Sequence, residues 1–467
     1  MKITIAIDSF KGSMTSLEAG NAAKEGVLQV YPNADVTVYP VADGGEGTVE
    51  ALTHAITQKN EQNIERKMTL KNEVINDRSI TVTGPLGEKI PVSYHVLCKP
   101  NADAQPTASA YNSSSYTAII EMSSAAGLPL VPQDKRNPMH TTTYGVGEMI
   151  KDAINQGCRD FIIGIGGSAT NDCGIGMLEA LGYRFVDSRG NDVPFGAEGL
   201  GKIQDIYFEE ALPELTQCSF RVACDVTNPL VGENGCSAVF SPQKGATLEM
   251  VKKMDLDMTR FANLVEHIAM CDESSIHSAW LKKCEKVKNN RTKCTDSNKL
   301  YEVEYVQTIN RNTPGTGAAG GLGYAFLMFL NATLEPGVDI VLSEIGIEED
   351  IKTSDLIITG EGKIDSQTIN GKTPAGVARL AKKYGKKVIA FAGVVDKSSE
   401  QLKEQGLIDE IYEVERGTMD LKTAMQTDKA YINLKNMVAN YFEKKTGKLM
   451  EKIPNIRYNK STMSQNS

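Results

Sequence analysis

Short runs rich in valine and isoleucine recur along the chain at 2–7, 35–41, 117–122, 160–165, 220–224, 354–358 and 387–392, each ending in polar or glycine residues and followed by helical periodicity. Apolar runs of that length, alternating with helices, predict βα units and a mainly parallel sheet, so the expected fold class is α/β. After the first run, residues 14–30 set Leu17, Ala22, Val27 and Leu28 near one face of a helix, with Ser13 or Thr15 available as its cap. A second helix is expected over 373–384, where Pro374 falls near the first helical position and Gly385 follows the end. Residues 76–98 break the rhythm and read as a β-hairpin turning at 84–88. A second domain is placed there. Because βα units resume near 310 and continue to about 445, the expected arrangement is one discontinuous domain from 1–75 and 310–450, a second α/β domain inserted at 76–309, and a flexible tail at 451–467. Ligand is then expected in the cleft between the domains.

A length of 467 residues, beyond the usual size of one hydrophobic core, agrees with two domains. Residues 100–116 are small and polar, and 270–306 carry a run of lysines and cysteines; both read as surface insertions. The net charge of −9 and pI near 5.4 argue against nucleic acid as a partner, since phosphate-backbone binding rests on clustered Lys and Arg. The nine cysteines are odd in number and contain no Cys-x-x-Cys pair, which predicts reduced thiols in a cytoplasmic protein. The chain shows no signal-peptide pattern and no apolar run of membrane-helix length, so no membrane is expected as a partner.

The chemistry concentrates in glycine-bearing loops that also carry acids. They are Ala-Asp-Gly-Gly-Glu-Gly-Thr at 42–48, Gly-Ile-Gly-Gly-Ser-Ala-Thr-Asn-Asp at 164–172, Pro-Gly-Thr-Gly-Ala-Ala-Gly-Gly at 314–321 and Thr-Gly-Glu-Gly-Lys-Ile-Asp at 359–365. Glycine lets backbone amides approach a ligand, and a strand-to-helix turn aims those amides at an anion. Carboxylates in the same loops suit Mg2+, which takes one or two acids and keeps several waters. Asp8, Ser9 and Lys11 follow the first strand, at the carboxyl edge where open α/β sheets bind ligands. Each loop has a plainer reading beside the functional one. Lys11 sits in an ordinary turn, Asp43 and Glu46 answer a helix dipole, and the glycines at 315, 317 and 320 serve close packing.

Other chemistries compete. Gly164, Gly166 and Ala169 satisfy the dinucleotide fingerprint, and Asp187 closes the next apolar run where a ribose-binding acid would fall, so an NAD(P)-dependent dehydrogenase stays open. Against it, Ser168, Thr170, Asn171 and Asp172 load the turn with polar groups that a dinucleotide does not require. The 370–373 stretch fails as a P-loop because Ser366 stands where the first glycine belongs. The five histidines lie outside every glycine loop, which leaves a histidine triad or zinc hydrolase without machinery. Phosphoryl transfer needs none, since it depends on positioning, metal and electrostatics. A phosphate-binding protein without turnover is the remaining alternative.

Together with Asp-Ser-Phe-Lys-Gly-Ser at 8–13 and Ala-Cys-Asp-Val-Thr-Asn-Pro at 223–229, these loops resemble the bacterial-type glycerate kinase family in order along nearly the whole chain. The resemblance implies a flavodoxin-like domain with a smaller inserted α/β domain. It also implies ATP-dependent phosphorylation of D-glycerate to 2- or 3-phosphoglycerate. Asp43, Asp365 and Lys11 are then the candidate catalytic residues. Asp8, Ser9, Gly166, Gly167, Ser168, Asn171 and Asp172 would hold the substrate, and Gly315, Gly317, Gly320, Gly360, Gly362 and Lys363 would hold ATP phosphates. Glu46, Asp225 and Glu361 would hold Mg2+. Cys173 departs from the pattern, standing where similar proteins commonly have glycine.

Overall fold

The structure, a computed structural model, describes residues 1–42, 74–99, 115–271, 309–366, 368, 371–414 and 419–452. The loop holding Asp43 and Glu46, the two expected insertions apart from their edges, and the tail beyond 452 lie outside the described residues. The strands in chain order are β1 (Lys2–Ile7), β2 (Asp35–Val38), β3 (Val74–Thr83), β4 (Lys89–Lys99), β5 (Ser115–Glu121), β6 (Asp160–Gly164), β7 (Arg184–Val186), β8 (Asp205–Tyr207), β9 (Ser219–Ala223), β10 (Thr333–Glu335), β11 (Leu356–Ile364), β12 (Lys387–Val395) and β13 (Glu410–Glu413). The chain divides into two compact units, Met1–Ala42 with Leu342–Ser467, and Asp43–Val341.

In the first unit the strand order is β13-β12-β11-β1-β2 and every pairing is parallel. Renumbered within the unit this is 2-1-3-4-5, the flavodoxin-like order, whose direction reverses between β1 and β11. Ile3, Ile5 and Ile7 are fully buried, as expected of a parallel strand covered on both faces. The helix Ser16–Val30 begins at Thr15, whose hydroxyl accepts from the Glu18 amide while the Glu18 carboxylate accepts from the Thr15 amide. This reciprocal cap, worth about 1 kcal/mol, decides between the two cap candidates in favour of Thr15. The helix packs on Thr427–Lys452, and Ala19, Ala23 and Val27 join Leu434, Val438 and Phe442 in one core.

The second unit is built on a six-stranded sheet of order β10-β9-β6-β5-β4-β3, parallel from β10 to β5 and antiparallel through β4 and β3. The β3–β4 hairpin closes at 84–88, with Gly87 at φ +88° and the Gly84 amide donating to Glu88 O. Residues 309–341 go with this unit, although the sequence grouped them with the chain ends. β10 pairs with β9, and Tyr324 and Phe326 are buried in its core. The boundaries at 42/43 and 341/342 therefore differ from the expected 75/76 and 309/310. Among the described residues, the cluster around Tyr324 and Phe326 and the cluster around Ile3 and Leu434 share no residue.

Candidate active site

Asp8 leaves the carboxyl end of β1 and its amide donates to Gly360 O on β11. The two strands diverge here at the reversal of strand order, where open α/β sheets form a ligand crevice. Asp8 is 5% exposed, and its two oxygens accept from the Ser9 amide (2.6 Å) and the Thr373 hydroxyl (2.7 Å). Thr373 is placed by the helix Thr373–Lys383, which packs on both strands.

Glu361 on β11 is nearly buried; its Oε1 accepts from the Thr368 hydroxyl at 2.6 Å, and Lys372 Nζ lies 3.8 Å from Oε2. Burial pushes its carboxyl up to about 7, with Asp8 and Asp365 adding repulsion while Thr368 and Lys372 oppose the shift. Asp365 is half-buried and paired with the exposed Lys363 at 3.1 Å. Three carboxylates and two lysines thus share one strand edge. Lys11 and Gly12 are exposed in the turn just beyond Phe10, and a side chain at Gly362 would come within 3.4 Å of Phe10 Cα. Gly360 is different in kind. A Cβ there would lie 2.0 Å from Phe391 O on β12, so strand packing requires this glycine.

In the second unit the 164–172 loop follows β6. Its tip, Gly166 and Gly167, is exposed; Gly167 has φ +73° and a Cβ at Gly166 would meet no atom within 4 Å. The loop is pinned from behind by Leu128 N to Gly167 O and Ala169 N to Ala126 O. The amides of residues 166–168 donate to no protein group among the described residues, a backbone arrangement that suits an anion. Ser168 stands just beneath the tip. Asn171 and Asp172 are completely buried. Asn171 Nδ2 donates to Ser237 Oγ, and Asp172 accepts from the Thr143 amide and hydroxyl, both at 2.8 Å, and from the Gly174 amide. Burial raises the Asp172 carboxyl above the usual range, and the hydrogen bonds from Thr143, Gly174 and Gly176 pull it back. Both side chains brace the loop.

Gly315, Gly317 and Gly320 are buried against protein: a Cβ would lie 2.8 Å from Leu334 Cδ1, 2.2 Å from Pro229 O and 2.1 Å from Thr170 O respectively. Regular helix begins only at Leu322, because 319–321 hold left-handed angles. Close packing accounts for these glycines. Asp225 is exposed and accepts from the Gly337 amide at 3.0 Å, at the start of the helix Gly337–Ile345. Cys173, at φ +52°, occupies a left-handed position, which explains why glycine suits it.

The dinucleotide fingerprint finds no support in this topology. β7, which carries the chain to Asp187, pairs antiparallel with β8 in a separate two-stranded sheet, whereas the neighbours of β6 are β5 and β9. Asp187 itself closes a surface turn by accepting from the Arg189 and Asn191 amides. A Rossmann site needs that second strand parallel and in the same sheet.

Four residues at these sites escaped the motif reading. Thr368, Lys372 and Thr373 fall just past the 359–365 loop, two of them in the stretch that failed as a P-loop. Lys244, in the second unit, had no sequence signal at all. It is 2% exposed and donates to Ser168 Oγ and Thr170 O, both at 2.6 Å, and burial pushes its ammonium down to about 8. Among the described residues no group of three or more His, Cys, Asp or Glu is disposed to hold a metal.

Comparison with known proteins places the chain. The profile described as the glycerate kinase family matches residues 3–444. Glycerate 2-kinase of Escherichia coli (strain K12) is 40% identical over 422 residues, 90% of this chain and 92% of that one. Glycerate kinase of Bacillus subtilis (strain 168) is 39% identical over 432 residues, 92% and 95% of the two chains. A crystal structure of a Salmonella typhimurium LT2 protein, described as a candidate glycerate kinase 2, superposes with a TM-score of 0.71 at 36% identity, covering 96% of this chain and 99% of that one. The acid-rich switch point, the glycine loops and these matches agree that the chain belongs to the glycerate kinase family and is a kinase.

Proposed function

We propose that this protein transfers the γ-phosphoryl group of ATP to D-glycerate with Mg2+ as cofactor, releasing ADP and a phosphoglycerate. The supporting observation is the carboxylate group at the β1/β11 switch point, where Asp8, Glu361 and Asp365 face two lysines. A buried carboxylate raised to about 7 by burial and by acidic neighbours suits a hard divalent cation bound by one or two acids, waters and phosphate oxygens. When bound, Mg2+ would neutralise charge on the phosphates. Glu361, with Asp8 or Asp365 beside it, is the candidate to hold it.

In this reading Asp365, Asp43 and Asp8 are the candidates for orienting the substrate hydroxyl, and Lys11 and Lys363 spread charge from the transferring phosphoryl group. Ser9 and the amide at Gly362 approach the phosphates from the strand end, whereas Gly360 is held inside the sheet. The 166–168 amides hold the carboxylate of the acid. Asn171 and Asp172 support that loop from below, and Gly315, Gly317 and Gly320 shape the chain beside it. The name of the Escherichia coli relative, glycerate 2-kinase, makes 2-phosphoglycerate the expected product.

Incubation with D-glycerate, ATP and MgCl2 should release ADP only when all three are present, and phosphorus NMR should show the 2-isomer. Saturable NADH binding without ADP release would favour a dehydrogenase; ATP binding without turnover would favour a silent phosphate-binding protein. Glu361→Gln should lower kcat by about a hundredfold or more in a folded enzyme.

A further inference from the structure

We infer that Lys244 is a positioning residue that turns the Ser168 hydroxyl into a dedicated hydrogen-bond donor toward the carboxylate of the organic acid. The inference rests on the kinase reading above and deepens it at the 164–172 loop.

Donor and acceptor capacity sets the direction of the Lys244–Ser168 contact. An ammonium can only donate, so in the 2.6 Å contact the Lys244 Nζ donates and Ser168 Oγ accepts. The single Ser168 proton is thereby excluded from that contact, and among the described residues it has no acceptor. Lys244 makes its second hydrogen bond to Thr170 O, on the same loop. The lysine therefore grips the loop at two points on either side of Ala169 and fixes the Ser168 rotamer. Donation from a cation also polarises the hydroxyl, which strengthens the bond its proton makes to an anion.

What surrounds the hydroxyl agrees. Gly166 and Gly167, which precede Ser168 in the chain, are exposed and carry no side chain that would block approach. Both hydrogen-bond acceptors of Lys244 are uncharged oxygens, and the buried Asp172 acts on its charge without a hydrogen bond to it. The lysine charge is thus held beneath the loop, 2% exposed, where low dielectric lets it act on an anion at the tip. Lys244 occupies a three-residue turn, Pro242–Lys244, ended by Gly245 at φ +92°, where a Cβ would lie 2.2 Å from Arg136 O. The backbone that aims it is therefore fixed by packing.

The test compares wild type, Lys244→Met, Ser168→Ala and the double variant by steady-state kinetics with D-glycerate and ATP. Each single variant should raise KM for glycerate roughly tenfold or more, with KM for ATP within about twofold of wild type. The double variant should be no worse than the more affected single one, because both remove the same hydrogen bond to the acid. Additive effects, equal rises in both KM values, or an unchanged glycerate KM in either folded variant would overturn the inference. Should Lys244→Met lose its cooperative melt, Lys244→Gln with Ser168→Ala carries the same comparison. Wild type without ADP release would instead sink the kinase reading itself, so the two failures are distinct.

Discussion

Asp172 shows how a residue can look like a ligand-binding group in sequence and serve the scaffold in space. Its carboxylate is wholly buried, and its partners hold the 164–172 loop to the start of the helix Tyr144–Asn155. Asp172→Ala should orphan those donors and cost about 1–3 kcal/mol for each buried donor left unpaired, read as a lower urea midpoint at unchanged slope. Asp172→Asn keeps one acceptor oxygen and should cost less. A larger effect on glycerate KM than on stability would contradict the bracing role. Glu179 offers a pH test. Burial raises its carboxyl from 4.5 to about 8, aided by Asp172 and Asp192. The folded state therefore binds the extra proton, and stability is present at low pH and lost as pH rises from about 4.5 to about 8. Glu179→Gln should leave the melting temperature near wild type at pH 5 and raise it above wild type at pH 9. Lys244 was invisible in sequence because a lone lysine in a surface-like Pro-Gln-Lys-Gly segment carries no spacing signal; only three-dimensional packing buries it.

At the scale of elements, two glycines of the candidate site should respond oppositely to one methyl group. Gly360→Ala would drive its Cβ into Phe391 O at 2.0 Å, inside the β11–β12 ladder. A loss of several kcal/mol, or failure to accumulate folded protein, is expected. Gly166→Ala meets open space and should leave the thermal melt within about a degree or two while raising KM for the acid, since its amide lies at the exposed tip. The elements most legible in sequence were those with long, uniform patterns: β1, the helix at 16–30, the 84–88 hairpin and the helix at 373–383 all lie within a few residues of expectation. β10 was missed because it is three residues long and none of them is fully buried. That miss shifted the domain boundary, since β10 is what ties residues 309–341 to β9. The candidate site was legible as loops, because glycine and acid spacing survive in one dimension. The division of those loops into exposed tips and buried braces was not.

For the whole molecule, the large apolar cluster of the second unit predicts that this unit folds by itself. Among the described residues, the buried cluster of the second unit runs from Val82 to Ala332, with Ile80 and Leu334 packed against it. A fragment of residues 43–346, which keeps the helix Gly337–Ile345 whole, should melt cooperatively when expressed alone and keep near-ultraviolet circular dichroism; a molten fragment without a transition would contradict this. The first unit has no such freedom, because Ile3 on β1 pairs with Leu356 on β11. Synthesis at about 5–20 residues per second separates these partners by tens of seconds on the ribosome. Throughout that interval the nascent isoleucine-rich amino terminus has one neighbour, β2, and lacks the central strand that later covers its other edge. Yield in cells should accordingly depend on chaperones that shield the nascent chain, more than the stability of the finished enzyme would suggest.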